Sequence, residues 1–242
     1  MLKQIFFLFF AVFLVSCTTT SDKTHKLDSV DDIGVVSVFD DTLSIKYLTP
    51  KATTTKEHAA DVTTWSINNT ITTELLSSFK GMNKRAFALE VDPALVQQGK
   101  NEARALKDLY LGNRYQGLEQ YFLSQAEKQG AQYLFVIHPM GDENFAAYRA
   151  GYGMLCQTEV AKGDLEAYFL MRAVLWNVKT REVETRTTLT PADLAFRTGR
   201  TCREALRLSP DKLASLYKDQ VLDLAKKSAD LSIVRTGLSK TR

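Results

Sequence analysis

The sequence predicts an α+β (or α/β) fold: a single mixed β-sheet with packed helices, a late β-hairpin and a C-terminal helix. Three observations carry this expectation. Apolar strand-like runs and helix-like stripes follow one another in the order strand, helix, strand, helix, strand, which places helices against a sheet. Residues 166–178 (EAYFLMRAVLWNV) alternate, with Ala167, Phe169, Met171, Ala173 and Leu175 forming one apolar face. The more polar stretch 181–189 follows Lys179 and Thr180, so the two read as a hairpin whose second strand lies near an edge. Finally, Ser209, Pro210 and Asp211 supply a capping hydroxyl, a first-turn proline and an early acid, and so announce a last helix.

In chain order, residues 1–16 read as a removed signal peptide. One lysine, Lys3, precedes an unbroken apolar run at 5–15, and Ser16 stands before Cys17. That is the layout of a secretory leader. The run is shorter than the roughly 20 residues that cross a bilayer. Leu14, Val15, Ser16 and Cys17 resemble the bacterial lipobox, which implies diacylglycerol on Cys17. A residue other than Asp after that cysteine, here Thr18, implies sorting to the outer membrane. Several acyl chains on one cysteine, at ~0.8 kcal/mol per buried methylene, suffice for stable anchoring. Residues 17–32 are rich in Thr, Ser, Asp and Lys, include His25, and read as a flexible tether. Residues 33–242 then form a single periplasmic domain.

Within it, 33–39 (IGVVSVF) is a β-branched run, and Leu43, Ile45 and Tyr47 alternate after Asp40 and Asp41, so the two segments read as a strand pair about a tight turn. Residues 58–79 carry Ile67, Ile71, Leu75 and Phe79 at four-residue spacing, a helical stripe that Gly81 is placed to end. Residues 85–91 alternate and stop at Asp92 and Pro93. A helical region broken near Gly112 follows, with Leu118, Phe122 and Ala126 on one face. Residues 132–137 (QYLFVI) read as an interior strand. From 139 to 163 no period persists, which reads as the longest loop. In the final helix, Leu213, Leu216, Tyr217, Val221 and Leu224 give an apolar stripe.

Signal removal leaves about 225 residues, enough for one large domain. The net charge of +3 includes Lys3, and basic residues are interspersed with acids, as at 179–186. That mixing argues against nucleic acid as a partner. With Cys17 acylated, Cys156 and Cys202 remain, and in an oxidising compartment such a pair reads as one disulfide. A redox pair is the other reading, but no C-x-x-C arrangement lowers a thiol pKa.

The search for chemistry finds no G-x-S-x-G elbow, no H-x-x-x-H, no C-x-x-C and no phosphate-cradling glycine loop, so no metal and no cofactor are implied. Of three histidines, His58 is placed at a helix start. His138 ends a strand beside Pro139, with Asp142 and Glu143 close behind. Ligands in α/β sheets gather beyond strand carboxyl ends, which makes His138 the candidate base of a dispersed hydrolase site. The other candidate region is 142–155, where Phe145, Tyr148, Arg149 and Tyr152 stand among small residues. Aromatics and Arg are enriched where partners bind. The same residues could equally fold over their own core.

The polar tether, mixed sheet and late hairpin LWNVKTREVE resemble small envelope lipoproteins such as the outer-membrane activators of penicillin-binding proteins and the curli secretion lipoprotein. The resemblance transfers no functional residue and implies an accessory or assembly role. Two functions are therefore expected: a membrane-anchored, non-catalytic interaction module of the cell envelope with a protein partner, or an envelope hydrolase near His138.

Overall fold

In the computed structural model, residues 29–48, 56–105, 115–140, 147–157 and 163–238 are described. The leader, Cys17, most of the tether, Asp142, Glu143 and Phe145 lie outside them. The sheet is organised by β7 (Asp164–Asn177), whose apolar residues are all buried on one face or the other. Its first half is flanked by β6 (Gly151–Gln157) and β9 (Ala195–Thr201), and its second half by β5 (Tyr133–Pro139) and β8 (Glu182–Leu189), all antiparallel to it. Two bonds mark the changeovers: Met140 N donates to Leu170 O at 3.2 Å and Phe169 N to Leu194 O at 2.9 Å. Strands β5 and β6 thus run end to end along one edge of β7, and β8 and β9 along the other.

The next rail repeats the device. β1 (Ile33–Ser37) lies parallel to β5, and β2 (Thr42–Leu48) parallel to β6. The short β4 (Ala86–Ala88) closes one edge beside β1, and β3 (Lys56–Asp61) closes the other half beside β2. The result is a lower half, β4-β1-β5-β7-β8, and an upper half, β3-β2-β6-β7-β9, joined along β7. A transverse seam crosses the sheet where the other rails change strand.

Helices α1 (Ile67–Gly81) and α5 (Pro210–Arg235) cover one face. Ile67, Ile71, Leu75 and Phe79 of α1 meet Val35, Phe135 and the odd-numbered face of β7. Ser228, Ala229 and Ser232 keep α5 slim on its buried side, and Ser78 donates to Asp230 at 2.7 Å across the pair. Helices α2 (Pro93–Ala105) and α3 (Gln116–Lys128) lie over the lower half of the opposite face, where Leu118, Phe122 and Ala126 meet Leu134, Val136, Val174 and Trp176. Gly99 allows their close approach, since a Cβ there would meet Leu118 Cγ at 2.4 Å. A short α4 (Cys202–Ala205), closed by a Thr201–Glu204 capping box, joins β9 to α5.

The α+β class, the single mixed sheet, the late hairpin and the Ser209-capped final helix stand as expected. Several local expectations are corrected. Strands β1 and β2 do not pair; the apolar run of β1 is that of a strand buried on both faces, and Asp40 and Asp41 carry the chain across the seam. His58 lies in edge strand β3 opposite Ile45, and the helix begins at Ile67. The stretch read as one long loop contains β6, an interior strand whose glycines and two-sided burial erase any alternation. Leu216 leaves the apolar stripe of α5 and is 41% exposed. The packed body starts before Ile33: Val30 is buried, and Arg85 pairs with both Asp31 and Asp32.

Candidate functional site

The seam is held at Phe39 from both faces of the sheet. Asn68, in the first turn of α1, accepts from Phe39 N at 2.7 Å and donates to Phe39 O at 2.9 Å. From the opposite face Lys100 of α2, 8% exposed, donates to the same carbonyl at 2.6 Å. Its ammonium also lies 3.9 Å from Asp40 Oδ1. Carbonyls carry two lone pairs, so both donors are accommodated. The Phe39 ring meets Phe169 edge-on at 5.8 Å, and Tyr152 stacks on Phe169 at 5.3 Å. Tyr152 donates its hydroxyl to Asp40 O at 2.6 Å. Burial first, then the charges of Asp41, Asp40 and Asp61, push this hydroxyl far above the usual phenol range, so it remains a neutral donor.

Beside this crossing lies a cleft of about 200 Å³ whose wall includes Asp40, Thr42, Ser44, Pro139, Arg149 and Gly151. That is below the span of drug-sized sites, about 300–1,000 Å³, and suits one side chain or a small polar molecule. Its charged groups are a carboxylate and a guanidinium. Arg149 pairs with Glu57 on β3, and Ser44 donates to the same carboxylate at 3.3 Å. Burial pushes the Glu57 carboxyl up, but the Arg149 hydrogen bond and charge, with Ser44 and Lys46, hold it below its ordinary value.

Residues 147–149 run from the cleft over the upper half of the sheet as a strap. Tyr148 meets Tyr168 edge-on at 4.8 Å and donates to Glu166 Oε1 at 3.0 Å. Arg149 N donates to Tyr168 Oη at 2.9 Å. Burial, and then the Glu166 carboxylate, push the Tyr148 hydroxyl up to about 12. Of the residues read as a partner surface, Arg149 is half exposed in the cleft, Tyr148 is clamped to its own sheet, and Tyr152 is a core residue 3% exposed. Phe145 lies outside the described residues.

His138 is not at the surface. It is 2% exposed, its ring 4.7 Å from that of Tyr115, with Nδ1 2.8 Å from Pro139 O and Nε2 3.5 Å from Glu119 Oε1. A carbonyl only accepts, so Nδ1 carries hydrogen and Nε2 is turned to the Glu119 carboxyl. This buries the imidazole away from the cleft. His58 is exposed on β3, its ring 6.0 Å from Tyr47.

Cys156 and Cys202 form a disulfide with Cα atoms 5.5 Å apart. Cys156 lies next to last in β6 and Cys202 follows β9, the two strands that flank the start of β7, and Gly163 lets the end of β6 approach, since a Cβ there would meet Gln157 O at 1.9 Å.

No family model and no curated protein matches this chain. The site therefore has to be read from its own geometry. Among the described residues no three of His, Cys, Asp or Glu are placed to hold a metal, and no helix is long and apolar enough to cross a membrane.

Asn68, Lys100 and Glu119 were missed from the sequence. Glu119 carried a signal: it sits between Tyr115, Phe122 and Leu123 on the apolar face of α3, where a carboxylate requires a buried partner. Asn68 and Lys100 carried none, since their target is a backbone group.

Proposed function

We propose that this protein is a lipid-anchored module of the bacterial envelope, held by acylated Cys17 at the periplasmic face of the outer membrane, that binds an envelope protein and catalyses no reaction. The observation that carries the reading is the run Leu14, Val15, Ser16 and Cys17 directly after a short apolar core. The Cys156–Cys202 disulfide supports an oxidising compartment. The seam cleft supports binding in place of chemistry: Arg149 offers a planar bidentate donor set beside apolar Pro139 and the hydroxyls of Thr42 and Ser44, which suits one inserted acidic or amide side chain of a partner. Tethering raises the effective concentration of that surface near its partner.

Two measurements test it. Cells fed labelled palmitate should label the unaltered protein and not its Cys17→Ser variant; absence of label from the unaltered protein removes the anchor. A photo-crosslinking amino acid at positions 145 and 150, the latter in the cleft wall beside Arg149, should capture one specific envelope protein in cells, and capture should disappear with Arg149→Glu. No adduct from either position removes the partner role of this surface.

A further inference from the structure

The lower end of the sheet is where the chain leaves for Cys17. The registers Ile33 with Ala86, Ile33 with Tyr133, Tyr133 with Asn177, and Asn177 with Glu182 put the starts of β1, β4, β5 and β8 and the end of β7 at one level. The entering segment is fixed there. Arg85 binds Asp31 and Asp32, Lys84 donates to Val30 O at 2.7 Å, and Gln132 donates to Asp32 at 3.1 Å. Cys17 and Ser29 are twelve residues apart, so the anchor's covalent reach from this corner is at most about 40 Å. The opposite end of β7 lies a further ~45 Å away along the strand.

The same end is basic. Helices α1 and α3 finish there with Lys80 and Lys128 in their last turns, and Lys179 tips the β7–β8 hairpin. All three are exposed. Of the nearby acids, Asp31 and Asp32 are paired with Arg85, Glu127 with Arg181, and Glu184 accepts from Asn177, while the exposed Glu182 at the start of β8 offsets part of the charge. Among the described residues Lys80, Lys128 and Lys179 form no ion pair. Helix C-termini favour lysine for their own sake, but that does not account for Lys179 on a strand turn.

We propose that this end docks on the bilayer that holds the anchor, with Lys80, Lys128 and Lys179 against anionic phospholipid headgroups, so that the seam cleft and upper half point away from the membrane. The inference rests on acylation of Cys17 for its orientation, and its test does not need the acyl group. The chain from residue 17 carrying Cys17→Ser is sedimented with vesicles of phosphatidylcholine alone or mixed with phosphatidylglycerol. Binding is expected only to the mixed vesicles, with release as salt rises. Each neutralised lysine should lower partitioning about 5-fold, so Lys80→Gln, Lys128→Gln and Lys179→Gln together lower it about 100-fold without changing Tm. Arg203→Gln with Arg207→Gln, which removes two positive charges beyond the far end of β7, should leave it unchanged. No binding to anionic vesicles, retention by the triple variant, or equal loss from the arginine pair overturns the proposal. Palmitate labelling is read separately: labelled Cys17 without vesicle binding removes only the docking face, and unlabelled Cys17 removes the anchor whatever the vesicles show.

Discussion

His138 Nε2 faces Glu119 Oε1 across 3.5 Å with both side chains 2% exposed, joining strand β5 to helix α3 beneath the ring of Tyr115. Removing one member of such a buried polar pair leaves the other desolvated, a loss of about 1–3 kcal/mol. His138→Ala should therefore lower stability by about that much in urea titration, with partner crosslinking retained wherever the protein is still folded. A stable His138→Ala variant that loses partner capture would instead make the imidazole part of the binding surface.

The Arg149–Glu57 contact should respond to acid. The Glu57 carboxyl titrates below its ordinary 4.5 in the folded protein. Its contribution is complete above 4.5 and is lost as pH falls through the lowered value. The strap at 147–149 should then loosen, seen as faster exchange of the Arg149 amide, and Glu57→Gln should show that faster exchange already at neutral pH. Unchanged exchange in Glu57→Gln would mean that Tyr148 and Tyr168 hold the strap without the ion pair.

Reduction of the disulfide should destabilise without unfolding the chain at room temperature. The bridge closes a loop with sequence separation 46, for which chain entropy gives up to about 4 kcal/mol. A fall in Tm of up to roughly 8–16 °C is expected for a chain of this size, matched by Cys156→Ser with Cys202→Ser. Alkylation of both cysteines in the unreduced native protein would show the bond absent.

Gly153 sits where β2 and β6 press together. A Cβ there would meet Ser44 O at 2.6 Å and Tyr168 Oη at 2.8 Å. Because one obstacle is backbone, Gly153→Ala should cost about 1–3 kcal/mol through displaced strands, measured by chemical denaturation. Gly117→Ala, with open space around it, should cost nothing and raise helix propensity.

Legibility followed burial. Strand β7 was readable because its odd positions all reach the same core, and α5 because Ser209 and Pro210 mark its start. β1 and β5 declared themselves as strands through continuous apolar runs, but not their neighbours: pairing between Ile33 and Tyr133 joins residues a hundred positions apart. β3 (KEHAAD) was lost because an edge strand that buries only Ala60 has no period to detect, and β9 (AFRTGRT) because none of its residues is fully buried. In β6, Gly151 and Gly153 looked like loop residues, while Gly151 is required by its positive φ of 97° and the missing side chain of Gly153 is what admits Ser44 O and Tyr168. At the site, Arg149 was picked from its residue type, whereas Tyr152 bears the same signal yet packs inward, since aromatic character alone does not say which way a ring turns.

One strand shared by two half-sheets dictates when the chain can fold. Material emerging N-terminus first delivers β1 to β6 before either half possesses its central member; the upper half gains it with the first half of β7 and the lower half only when Asn177 has been released.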